Sequence, residues 1–141
     1  MRLFTAIELP PDIRRAIWEK FVFLAALSGV TALSRQAVGG VRSDPDLRTA
    51  FEAAMKEIVS LARARDVVLP DDFLPRQMRA IDGLPAEMRS SMQNDLLSGR
   101  RLEAPWLCGR VAGLAAEAGI GAPVNATIYA GLKPFVNGAA S

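Results

Sequence analysis

No histidine occurs among the 141 residues of this chain. Its absence excludes Ser-His-Asp and Cys-His catalysis, a histidine proton shuttle and zinc sites of the usual His-containing kinds. The one cysteine, Cys108, cannot replace them. It also rules out an intramolecular disulfide and fits a reducing compartment, and no signal-peptide pattern precedes the first helix, so a cytoplasmic location is expected. Neither Gly-x-Gly-x-x-Gly after a strand nor Gly-x-x-x-x-Gly-Lys-Ser/Thr is present, so the chain encodes neither a dinucleotide fold nor a phosphate loop. Long β-branched runs and alternating patterns are scarce. Seventeen basic residues stand against fifteen acidic ones, a net charge of +2, and they are dispersed, so nothing calls for nucleic acid or a membrane surface.

What is present is apolar and rich in alanine: half the residues are hydrophobic, which favours an all-α fold in a single domain. Its organising stretch is residues 18–33, uncharged from Phe21 to Leu33 and apolar on every side of a 3.6-residue period, as expected of a helix surrounded by protein. The run is shorter than the ~18 residues needed to cross a bilayer and contains Ser28, Gly29 and Thr31, so a buried soluble helix fits better than a membrane span. At about 100° per residue, Leu24 lies about 40° from Lys20, Ser28 about 80° and Thr31 about 20°. An ammonium and two hydroxyls therefore share one side of a greasy rod. Lys20 has two readings. It can snorkel to water while its stem packs, or its ammonium can point into a cleft as an acid or anion anchor, since a partly desolvated lysine has a readily tuned proton affinity.

Six helices are predicted, over about 12–34, 45–65, 70–81, 85–97, 106–118 and 126–133. Asp12 suits an N-cap or first turn, Gly39-Gly40 break the chain, and Ser43-Asp44-Pro45 restart it. Leu47, Phe51, Met55, Ile58 and Leu61-Ala62 form the apolar face of the second helix, with Arg48, Glu52, Lys56 and Glu57 in water. Asp71 and Asp72 have no third partner at metal-ligand spacing and read as helix-start acids, so no metal is expected. Ser90, Ser91, Asn94 and Asp95 are poor interior helix residues: they serve either hydrogen bonds between helices or a row of donors facing a ligand. Cys108, on an apolar helix face, reads as a small core residue. Met1–Leu9 reads as a short strand or extended lead-in, and the tail from Val136 is small and polar and expected to fray. The opening residues are similar to the first strand of the RNA ligase and cyclic phosphodiesterase family, but that family's two His-x-Thr/Ser motifs cannot exist here.

Three motifs in order carry a broader resemblance: Trp18-Glu-Lys20-Phe; Ser90-Ser91-Met92-x-x-Asp95-Leu-x-x-Gly99-Arg100-x-x-Glu103; and Gly119-Ile-x-x-Pro123-x-Asn125-x-x-x-Tyr129. Together they resemble the C-terminal domain of ketopantoate reductases (2-dehydropantoate 2-reductases), over about residues 11–133. The resemblance implies an all-helical domain similar to the C-terminal domain of 6-phosphogluconate dehydrogenase, packed against an N-terminal Rossmann domain that binds NADPH, with substrate in the cleft between them. It places Lys20 as the general acid to the ketone oxygen. Ser91 falls on the serine that hydrogen-bonds the substrate's carboxylate end, and Glu103 on the glutamate that helps hold the lysine and the cofactor ribose. Two asparagines that follow the lysine in the family are here Leu24 and Ser28, of which Ser28 keeps a substrate-binding hydroxyl, and a third asparagine is Met88. A related 2-keto acid therefore fits as well as ketopantoate.

The expected organisation is a lead-in over 1–10, the helical domain over 11–135 and a flexible tail over 136–141. A Rossmann domain needs roughly 160 residues, within the usual domain size, and ten precede Pro11. The chain is thus read as a detached domain, inactive alone and a candidate homodimer. The competing reading is a non-catalytic helical interaction module that dimerises through apolar surface.

Overall fold

The structure is a computed structural model that describes residues 9–138. Met1–Glu8, and with them most of the expected lead-in, lie outside the described residues, as do residues 139–141. Among the described residues the fold is all-α, with seven α-helices and two short 3-10 turns.

Helix α1, Pro11–Ser34, begins with proline at its first position and Asp12 in its first turn, and ends where Arg35 takes a left-handed conformation. Trp18, Val22, Ala25, Ala26, Leu27 and Val30 are buried along it. It is long and apolar enough to pass for a membrane span, but 56% of that window is buried inside the domain, as a core helix requires. It packs against α3 (Pro45–Ala64), α5 (Ser91–Leu97) and α7 (Pro123–Leu132). Gly29 lets α7 lie close against α1, since a Cβ there would meet the Ile128 side chain at 3.1 Å.

Asp44 caps α3 as the sequence implies, its carboxylate accepting from the amides of Asp46 and Leu47, each at 2.9 Å. Phe51, Met55, Ile58, Leu61 and Ala62 are buried on the anticipated face, joined by Ala54. Helix α4 spans Phe73–Asp82, starting three residues later than predicted because Pro70–Asp72 form a turn. Asp72 pairs with Arg76 at 3.2 Å, and no metal-binding cluster exists among the described residues.

Two boundaries differ from expectation for a shared reason. Gly39-Gly40 do not break the chain but lie inside a short helix, α2 (Val38–Ser43), whereas Pro85–Ser90 are not helical. The first amides of α2 have no side-chain cap, and the carbonyls of Met88 and Ala86 supply it by accepting from Val38 (2.9 Å) and Gly39 (2.8 Å). The chain at 86–88 is committed to α2, so its own helix starts only at Ser91. Position 39 must be glycine for this contact, because a Cβ would stand 2.8 Å from that of Ala86.

A 3-10 turn at Ala104–Trp106 leads into α6, Cys108–Ala118, which ends on Gly119 in the left-handed region. Helix α7 starts at Pro123 rather than 126, and a second 3-10 turn follows at Lys133–Phe135. Beyond it the Val136 carbonyl accepts from the Leu102 amide at 2.9 Å, which ties the start of the tail back onto the domain.

Candidate functional site

Trp18 and Val22 point into the core, and helical geometry then turns Lys20 and Leu24 outward. There they wall an open hollow of about 370 Å³ with Glu19, Phe23 and, from α4, Gln77. Phe23 is fixed by an edge-on contact with Phe51, ring centroids 5.7 Å apart. Glu19 faces Arg15 at 3.7 Å, whereas the Lys20 ammonium has no ion-pair or hydrogen-bond partner among the described residues. The hollow therefore carries one uncommitted ammonium beside a phenyl ring and the exposed side chain of Leu24.

Further along the same side of α1 the polar groups turn into the domain. Ser28 is 7% exposed and Thr31 fully buried. Thr31 Oγ lies 2.7 Å from both the Leu27 carbonyl and Ser90 Oγ, and Ser90 Oγ accepts from the Gln93 amide at 3.1 Å. The donors can be assigned: the Gln93 amide donates to Ser90, the Ser90 hydroxyl to Thr31, and the Thr31 hydroxyl to Leu27, so every proton is used. Ser90 is thereby both the N-cap of α5 and its tether to α1, which answers why a serine pair stands there. Ser91, the first residue of α5, is exposed at that tethered end. Glu103 is exposed just before the 3-10 turn, its carboxylate unpaired among the described residues. Neither Ser91 nor Glu103 walls the Lys20 hollow, whereas Phe23 and Gln77, unmarked by any sequence signal, do.

Glu57 is the residue that pattern reasoning misplaced. Instead of facing water it accepts from the amides of Val124 (2.8 Å) and Asn125 (2.9 Å), giving α7 the anionic cap its own sequence lacks. Arg48 also leaves the solvated stripe, meeting both carboxylate oxygens of Asp82 at 2.8 and 3.1 Å. The hydrogen bond and charge of Arg48 hold the Asp82 carboxyl below the usual carboxylate range. Cys108 is buried, its thiol 3.7 Å from the Ala104 carbonyl and pushed up to about 11 by burial. Its burial is that of a small core residue.

Residues 12–135 match the family described as ketopantoate reductase PanE/ApbA C terminal. The chain belongs to that family, as its C-terminal domain. An Archaeoglobus fulgidus 2-dehydropantoate 2-reductase is 32% identical over 120 residues, covering 83% of this chain and 39% of the relative. A Bacillus subtilis protein named as an uncharacterised oxidoreductase, YkpB, is 28% identical over 87% of this chain and 41% of its own length. Among solved structures, a dimeric ketopantoate reductase from Staphylococcus aureus superposes with a TM-score of 0.82 at 27% identity, over 90% of this chain and 44% of that one. This ketopantoate reductase domain thus spans less than half the length of the relatives it matches.

Proposed function

We propose that this domain supplies the substrate-facing groups of an NADPH-dependent 2-keto acid reductase of the 2-dehydropantoate type, acting in a reducing compartment such as the cytoplasm together with a dinucleotide-binding domain. The observation that carries the reading is Lys20: an ammonium without a partner among the described residues, on the rim of an open hollow, one helix turn from an exposed leucine.

On this reading the neighbouring domain holds the dinucleotide, and the helical domain by itself is expected to show no turnover. What it offers a cofactor bound next to it is the exposed Glu103 carboxylate, a suitable acceptor for ribose hydroxyls. The nicotinamide, when bound, supplies the hydride. Lys20 acts as general acid: it stabilises the charge that grows on the ketone oxygen and gives up its proton there. Ser91, held by the Ser90–Thr31 tether, donates to the substrate carboxylate, and Ser28 lines the same side of α1.

Fusion of the chain to the dinucleotide-binding domain of a relative tests the reading by NADPH oxidation with 2-keto acids. Turnover that falls by about 10²- to 10⁴-fold in Lys20→Ala is the expected result. A fusion that binds NADPH but shows no turnover, or turns over equally well without Lys20, refutes it.

The alternative, a non-catalytic dimerisation module, draws on the exposure of Trp106 (68%) and Leu97 (49%), large apolar groups that a second copy would cover. Sedimentation decides it. A monomer at high concentration excludes that reading, while a dimer with keto-acid turnover in the fusion makes the two compatible.

A further inference from the structure

We propose that the acid bound beside Lys20 carries a plain hydrocarbon side chain, and that Leu24 selects against a hydroxyl there. The inference rests on the preceding reading and names the substrate class of that same site. Leu24 is 46% exposed although Ala25, Ala26 and Leu27, which follow it, are buried. It stands one turn from Lys20 on the same helix face, roughly 6 Å away between side-chain roots, and both wall the hollow. The other apolar wall, Phe23, is held by its edge-on contact with Phe51. Beside the ammonium, then, α1 presents methyl groups and a fixed ring.

Neither hydroxyl further along this face lines the hollow. Thr31 is committed to Leu27 and Ser90, and Ser28 is nearly buried. Gln77 comes from α4, the other wall, and with Lys20 it can serve the acid's own oxygens. A substrate hydroxyl laid against Leu24 loses water and gains no partner. A hydrocarbon chain in its place covers surface that is otherwise wet. The expected discrimination is roughly ten- to a hundredfold in favour of the hydrocarbon.

The test uses two acids that differ by a single hydroxyl, 3,3-dimethyl-2-oxobutanoate and its 4-hydroxy derivative, titrated into the ¹⁵N-labelled chain. The amides of Lys20, Leu24 and Gln77 should shift with the first at roughly tenfold lower concentration or better, and Leu24→Asn should abolish or reverse the preference. Equal affinities, or tighter binding of the hydroxylated acid, overturn the inference while leaving the keto-acid site standing. Absence of shifts with either acid, or shifts unaltered in Lys20→Ala, removes the site and the inference with it. Leucine 24 lies on the surface, so the variant's thermal unfolding should match that of the parent and separate a specificity effect from misfolding.

Discussion

Glu57 on α3 and Asn125 on α7 are locked by two hydrogen bonds to one carboxylate oxygen, from the Asn125 amide at 2.9 Å and its side-chain Nδ2 at 2.8 Å. The same Nδ2 also lies 3.2 Å from the Ala54 carbonyl, and the second carboxylate oxygen takes the Val124 amide. Two helices far apart in sequence thus share one cap. Glu57→Ala leaves two first-turn amides and a buried carboxamide without their anion, which should cost about 2 to 3 kcal/mol. The urea midpoint should fall without a change in slope. Asn125→Asp should be worse than Asn125→Ala, because it sets a second carboxylate against the first and removes a donor.

The Thr31–Ser90 pair makes a separate prediction. Thr31→Val keeps the shape but leaves the Ser90 hydroxyl without its acceptor, and Ser90→Ala removes the α5 cap; each should cost about 1 to 2 kcal/mol. Because both act through one contact at 2.7 Å, the double variant should cost less than the sum. Additive losses in a double-mutant cycle would show that the hydroxyls do not bond. Thr31→Ser should be close to neutral.

The elements legible in the sequence were those whose signals are local. Helix α3 could be read because Asp44-Pro45 mark its start and its apolar residues repeat at helical spacing, and α1 because its charge-free run is apolar on every side. Lys20 emerged from a motif, and its place on an open hollow agrees with an outward-facing side chain. What escaped was decided by partners distant in the chain. Glu57 has the same spacing as a solvated residue, and only the arrival of α7 makes it a cap. Residues 85–88 carry a helix-start proline, yet their carbonyls are drawn to the uncapped amides of α2. Gln77 faces the hollow only because α4, packed on α3, brings it opposite α1, a register no periodicity encodes.

The Arg48–Asp82 pair gives a pH dependence of definite sign. The Asp82 carboxyl titrates lower in the folded chain than in the unfolded one, so the unfolded chain takes up the proton first as pH falls. The pair's contribution is therefore present above about pH 4, the ordinary aspartate value, and is lost as pH drops through the folded value. Stability of the parent and of Asp82→Asn, compared from pH 7 to pH 2 by urea unfolding, should differ by a constant amount near neutrality and converge in acid. A gap that widens in acid would contradict the pairing.

Cys108 behaves in the opposite sense. Burial raises its thiol to about 11, so the native thiolate is scarce at neutral pH while an unfolded cysteine ionises near pH 8.5. Between those values the unfolded chain releases its proton first, and stability should decline as pH rises from about 8.5 toward 11. Cys108→Ala should lack that alkaline decline, at the modest cost of a small cavity beside Ala104. Labelling with a thiol-reactive disulfide at pH 8 should be slow in the native protein and accelerate with urea, since reaction waits for the helix to open. Rapid native labelling would mean that α6 does not bury Cys108 against the 3-10 turn.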